Sequence, residues 1–163
     1  MIRFYLTAMA LLGAATASAA GEARSKVISN GHTAPVYFND GDTFRVLTGP
    51  LAGTKARLAG FNTLESFGPV HIWPGLSGRE LYVNAKTATL FARRGIWRCT
   101  SDMNRDTYGR ALFDCPELAV AHIRLGLAHA MTVTAESSST LYLDAQHEAQ
   151  AKKRGMWAKG TPR

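Results

Sequence analysis

Apolar and polar residues alternate with a period near two in three short runs: Pro35-Val-Tyr-Phe38, Thr43-Phe-Arg-Val-Leu47 and Ala56-Arg-Leu-Ala-Gly-Phe61. Turns containing Gly and Asp separate them, so the stretch from Ala34 to Phe61 predicts a β meander. Residues 65–78 hold two prolines and three glycines without periodicity, which predicts a long surface loop. The period then changes. Ser77 and Glu80 form an S-x-x-E capping box ahead of Leu81, Ala85, Ala88 and Phe91, spaced for one face of a first helix that stops at Gly95. Ile96 to Cys99 and Ala111 to Phe113 flank a polar, turn-rich stretch and predict a second β hairpin with a long tip. Leu118, Ala121, Leu125 and Ala128 predict a second helix over Glu117–Ala130. A Ser-rich break at 137–139 precedes a third helix over Leu141–Arg154, ended by Gly155.

One chain of 163 residues carrying these elements has room for one core. Three β segments, a helix, a hairpin and two more helices predict an α+β domain: a small closed barrel decorated by helices, with the oligonucleotide-binding (OB) type leading. The first twenty residues read differently. Arg3, the apolar run from Phe4 to Ala15 and the small residues Ala17-Ser-Ala-Ala20 predict a cleaved signal peptide, leaving 21–163 as the single mature domain. The apolar run falls short of the ~20 residues that span a bilayer, so no stable membrane anchor is expected. The expected location is the periplasm or the medium.

Cleavage would remove Arg3 alone among charged residues, leaving 18 Lys and Arg against 12 Asp and Glu, a net of +6. Such a basic domain attracts polyanions, and the same balance also serves solubility. Cys99 and Cys115 lie in the mature region, where export permits a disulfide. Its loop-closure entropy would be worth about 3 kcal/mol. The histidines His32, His71, His122, His129 and His147 show no i, i+4 pair, and His122 with His129 reads as two positions on one helix face.

Three strings carry chemistry. Asp40-Gly41-Asp42-Thr43 places two carboxylates at a tight turn, where their repulsion calls for a cation or a basic partner; Asp-Gly is also an ordinary hairpin turn. Arg57 and, after a turn, Asn62-Thr63-Leu64-Glu65 combine a guanidinium that can grip a phosphate with a carboxylate that can take a proton from water. Each also has a plain reading as an exposed strand or loop residue. In Asp106-Thr-Tyr108-Gly109-Arg110, Gly109 allows a positive φ that can turn Arg110 into a site.

In order and approximate spacing these strings resemble the thermonuclease, or staphylococcal-nuclease-like, family. The resemblance covers about residues 35 to 160 and includes Gly126-Leu-Ala128, Glu148-Ala-Gln-Ala-Lys-Lys153 and Trp157. It implies a five-stranded OB-type β-barrel with three helices that hydrolyses DNA and RNA with Ca²⁺, leaving 3′-phosphates. It further implies that Asp42 ligates the metal directly, that Asn62 and the Thr63 carbonyl complete the ligand set, and that Asp40 acts from the outer shell. Glu65 would be the general base, Arg57 and Arg110 the phosphate clamps, and Tyr108 a substrate contact.

Three departures matter. Asn62 stands where the family usually has Asp, which removes a negative charge and predicts weaker calcium binding. Leu64 replaces the usual proline and loosens the turn. The aromatic residues expected after the second helix are absent at Met131 and Thr132, which bears on base preference. The expected protein is a monomeric, exported nuclease acting on nucleic acid. Its rival is an OB-fold module, catalytically weakened through Asn62, that binds nucleic acid or an acidic polymer.

Overall fold

The computed structural model describes residues 25–65, 73, 75–130 and 139–160. The expected signal peptide, most of the 65–78 loop, Met131 and Thr132 lie outside the described residues. The elements run β1 (Lys26–Ser29), β2 (His32–Phe38), β3 (Thr43–Val46), β4 (Lys55–Leu58), β5 (Asn62–Thr63), α1 (Gly78–Ala92), β6 (Ile96–Cys99), β7 (Ala111–Phe113), α2 (Pro116–Arg124), β8 (Ala128–His129) and α3 (Thr140–Ala151). A 3-10 turn follows at Gly155–Trp157.

The mixed α+β class and the three helices agree with the sequence reading, whereas the sheet differs from it. Among the described residues six strands form one strongly curled sheet, ordered β6-β1-β2-β3-β4-β7, and β5 pairs with β8 apart from it. The barrel is not closed, and its strand count is not five. β6 and β7 do not form the expected hairpin ladder. They pair in parallel with β1 and β4 instead. Among the described residues, antiparallel contact across the expected hairpin is confined to two isolated bridges, Arg105–Ala111 and Thr100–Asp114, the latter beside the Cys99–Cys115 disulfide, whose Cα atoms lie 4.2 Å apart. The reason is that β1, too short and irregular to register as a strand in the sequence, offers β6 a backbone ladder in which Val27 enters the core.

The second helix also ends early. Gly126 sits at φ +68°, and its N–H and that of Leu127 return to the carbonyls of Ile123 and His122 at 2.9 Å each, which closes α2. A Cβ at Gly126 would collide with the Arg154 carbonyl, so the reversal needs glycine. Ala128 therefore belongs to β8, and His122 and His129 do not share a helix face. The α1 capping box forms as expected: Ser77 N–H donates to Glu80 Oε2 at 2.8 Å and Glu80 N–H to Ser77 Oγ at 3.3 Å.

The concave face of the sheet builds the core. Phe44 packs against both Phe38 and Phe113 with ring centroids 5.3 Å apart, and all three are buried. Burial of each such side chain contributes roughly 1.5–3 kcal/mol. A second cluster, Leu64, Leu81, Ala85, Ala149, Met156 and Trp157, fastens α1 to the C-terminal segment. Trp97 stacks on Phe91, and Trp73 packs edge-on against Trp157 with ring centroids 5.0 Å apart. Among the described residues no helix is long and apolar enough to cross a membrane.

His122 is fully buried between α2 and α1, with Nε2 3.0 Å from the Ala88 carbonyl oxygen. Burial pushes its pKa down to about 4, against the weaker opposing pull of the Ala88 hydrogen bond. A depressed histidine favours the folded state above the unfolded pKa near 6.5 and loses that contribution as pH falls towards 4. The loss amounts to about 3 kcal/mol across that window. Urea unfolding measured between pH 7 and 4 should show it, and His122→Gln should remove that part of the slope; an unchanged slope in the variant would refute the assignment.

Candidate functional site

The chain leaves β2 at Phe38 and re-enters the sheet at Thr43, with the Asn39 N–H donating to the Thr43 carbonyl at 2.9 Å. Asp40, Gly41 and Asp42 fill this turn. Gly41 is forced by its neighbours, because a Cβ there would lie 2.5 Å from Thr63 Cγ2 and 2.9 Å from Ala88 Cβ on α1. The turn is thus pressed between β5 and α1. That position removes Asp42 from water: the residue is 1 % exposed.

A buried carboxylate must be compensated, and this one is bonded on both oxygens. Oδ2 accepts from Thr63 N–H at 2.8 Å and Thr63 Oγ1 at 3.1 Å, and Oδ1 accepts from Thr43 Oγ1 at 3.2 Å. Arg57 Nη1 also donates to Oδ1, forming an ion pair, while its Nη2 donates to Asn62 Oδ1. Arg57 reaches the turn because β4 pairs with β3 at Thr43↔Arg57, which puts both side chains on the outer face. Residues from the first two strings thereby meet at one carboxylate.

Asp40 is half-buried and its Oδ1 accepts the Asp42 N–H at 3.1 Å. Burial raises its pKa well above the ordinary carboxylate range, and the charges of Asp42 and, more weakly, Glu65 raise it further. Glu65 itself is exposed, two residues beyond the Thr63 N–H that holds Asp42.

The third string joins through strand register. β4 and β7 pair at Arg57↔Leu112, and Arg110 stands one residue before the start of β7, so the third string approaches the strand that carries Arg57. Arg110 is held by Asp106, whose Oδ1 accepts the backbone N–H groups of Arg110 and Tyr108 at 2.9 Å each and whose Oδ2 accepts Arg110 Nε at 2.7 Å. Burial opposes the charge on Asp106, but these hydrogen bonds prevail and hold its pKa below the usual value. Gly109 takes the positive φ that its lack of a side chain allows, +74°. Tyr108 is 82 % exposed, with the Arg110 guanidinium 5.4 Å from its ring centroid.

Asp106 is the residue that sequence reasoning missed. Its signal was present, since an Asp two residues before one backbone N–H and four before an Arg is the spacing of an Asx turn and of an i, i+4 pair. Arg93 was missed too: at the end of α1 it donates Nε and Nη2 to the Phe38 carbonyl at 2.9 and 2.7 Å, tying α1 to the base of the Asp40 turn.

Asp40, Asp42, Asn62 and Thr63 at the turn, with Glu65 two residues further on, carry oxygen donors, the type a hard cation takes. The carboxylates crowd one another enough to raise Asp40, a repulsion that a cation would relieve. The donor types fit calcium, on one condition: Arg57 must share or yield the Asp42 and Asn62 oxygens it now occupies. Among the described residues no three His, Cys, Asp or Glu side chains group as metal ligands, so Asn62 and backbone oxygen would have to supplement the carboxylates.

A scan against protein-family models finds no match to this chain, and a search of curated proteins finds none either.

Asp42→Ala should destabilise the fold by about 3–5 kcal/mol, because the Arg57 guanidinium would be left without its buried counter-charge. Asp42→Asn, which keeps shape and an acceptor, should cost less. Denaturant titration at pH 7 measures both, and equal, small losses would show that the pair is not structural.

Proposed function

We propose that this protein is an exported, Ca²⁺-dependent nuclease of the thermonuclease type, built on an OB-like barrel and hydrolysing phosphodiester bonds of DNA or RNA. One observation supports this above the rest: Arg57 and Thr63, from a string separated from the turn, both bond the buried Asp42 carboxylate, and Arg57 joins it to the Asn62 amide oxygen. Arg110 is fixed by Asp106 one residue before the start of β7. A turn needed only for chain reversal does not require a desolvated ion pair with three further hydrogen bonds.

In this reading Glu65, exposed at the edge of the site, takes the proton of the attacking water. Arg57 and Arg110 donate to the non-bridging phosphate oxygens and stabilise the charge that builds on phosphorus-bound oxygen in the transition state. Asp106 keeps Arg110 extended for that role, and Tyr108 contacts the substrate. Asp42, the Asn62 amide oxygen and the Thr63 carbonyl would hold Ca²⁺, with Asp40 orienting them; the ion, when bound, supplies electrostatic polarisation of the phosphate. Attack of the water oxygen on phosphorus, with cleavage of the P–O5′ bond and release of a 5′-hydroxyl, would keep the P–O3′ bond and give 3′-phosphate ends.

A second reading has its own support. Arg57 already neutralises Asp42 and bonds Asn62, and Asn62 brings no charge, so the module could grip nucleic acid or another acidic polymer with little turnover.

Glu65→Gln should lower turnover of denatured DNA by about 10²- to 10⁴-fold while leaving binding of uncleaved strand unchanged. A Ca²⁺ titration with a chelator control accompanies it. Wild-type cleavage that ignores both Ca²⁺ and the chelator, or no cleavage of DNA or RNA at all, would favour the binding module.

A further inference from the structure

The outer face of the sheet carries more cation than the scissile site uses. Tyr37 on β2 is paired with Arg45 on β3, and Arg45 with Lys55 on β4. The β4–β7 ladder begins at Ala56↔Ala111, so Lys55 and Arg110 each stand one residue before it, at the same end. Partners in a ladder point to the same face, and the inward neighbours Val36, Phe38, Phe44, Val46, Ala56 and Leu58 are buried, so this row faces solvent. Tyr37, Arg45 and Lys55 are exposed. Among the described residues neither Arg45 nor Lys55 pairs with a carboxylate.

The row spans three strand spacings, about 14 Å, at right angles to the strands. An aromatic ring stands at each end. Tyr108 lies beside Arg110, and Tyr37 lies over Arg93, whose guanidinium is 4.4 Å from the ring centroid and is itself locked to the Phe38 carbonyl. Beside Tyr37 opens a recess of about 560 Å³ lined by Tyr37, Asn39, Lys86, Thr89, Leu90 and Arg93. A positive track flanked by exposed aromatic rings is the arrangement that binds a single strand, with phosphates on the cations and unstacked bases on the rings.

We propose that Tyr37, Arg45, Lys55 and Arg93 form a second subsite that holds the nucleic-acid strand beyond the cleaved phosphate, laid across β2, β3 and β4 and leading to Arg110. It rests on the nuclease reading and adds to it. Arg45 and Lys55 each neutralise one phosphate, and Tyr37, stiffened from below by Arg93, stacks a base at the entrance to the recess. Duplex DNA keeps its bases paired and offers Tyr37 nothing to stack on, and an acidic polysaccharide has no planar base.

The test is binding of labelled single-stranded oligothymidylate, followed by fluorescence anisotropy in chelator across a range of NaCl concentrations. Arg45→Gln with Lys55→Gln should reduce the slope of log K against log [NaCl] by about 1.4, at ~0.7 for each phosphate no longer neutralised. Tyr37→Ala should weaken binding roughly 5- to 100-fold with the slope unchanged, the size of one base stack. Melting curves of these surface variants check that they fold as wild type. Cleavage of a dinucleotide, too short to extend from Arg110 to Tyr37 across about 14 Å, should be the same in Tyr37→Ala as in wild type. A double variant with wild-type slope and affinity would overturn the subsite. So would heparin or duplex DNA bound as tightly as the single strand and indifferent to Tyr37→Ala. If Glu65→Gln cleaves normally while the slopes shift as stated, the catalytic assignment fails and the strand subsite stands.

Discussion

A carboxylate placed where water cannot reach it organises the rest of this site. Removing Asp42 from solvent is costly by several kcal/mol unless donors surround it, and the fold supplies them from three directions: Thr43 along the chain, Arg57 across the sheet and Thr63 from β5. Each donor constrains the element that carries it. β3 and β4 are held in register where Thr43 meets Arg57, and β5 is drawn against the turn. The turn can approach so closely only because position 41 has no Cβ, which lets β5 and α1 close on it. The same desolvation that makes the ion pair costly to break also keeps Arg57 and Asn62 in a fixed relation, a precondition for any chemistry on a phosphate set between them.

Charge is segregated around that hub. The acidic turn lies between β5 and α1, with Asp40 pushed towards neutrality by burial and by its neighbours, while cations spread over the convex face of β3, β4 and the start of β7. Such an arrangement attracts a polyanion to the face and keeps the strongest negative charge local. The strand that delivers Arg110 is fastened at its far end by the Thr100–Asp114 bridge and the Cys99–Cys115 disulfide. With β6 and β7 sharing no ladder, these two links join the edges of the curled sheet. Asp106 restrains the other end, so Arg110 is held from both sides.

Much of this was readable in the chain, for reasons particular to each element. The capping box at Ser77 and Glu80 is local, so its hydrogen bonds could be read before any tertiary contact was known. The β segment Thr43-Phe-Arg-Val was readable because the pleat imposes its own period, with Phe44 buried and Arg45 exposed in the fold. Gly109 announced its positive φ. The second helix misled because Ala128 keeps helical spacing with Leu125 although Gly126 lies between them, and a single glycine does not declare whether it interrupts or ends a helix. The hairpin misled because two short strands on either side of a polar loop look alike whether they pair with each other or with distant partners.

The sequence alone determined the three chemical strings, the mixed class with three helices, the cysteine pair and the sign of the charge, all of which depend on residue type and short-range spacing. Tertiary structure decided which residues those strings would share. Only folding could show that Arg57 spends its guanidinium on Asp42 and Asn62, that Asp106 holds Arg110, and that Arg45 and Lys55 are paired across β3 and β4. Strand register is set by long-range packing, since a shift of one residue would turn every one of these side chains to the opposite face. Burial, which gives the Asp42 charge its leverage, is likewise a property of the packed turn between β5 and α1 and is written in no single string of residues.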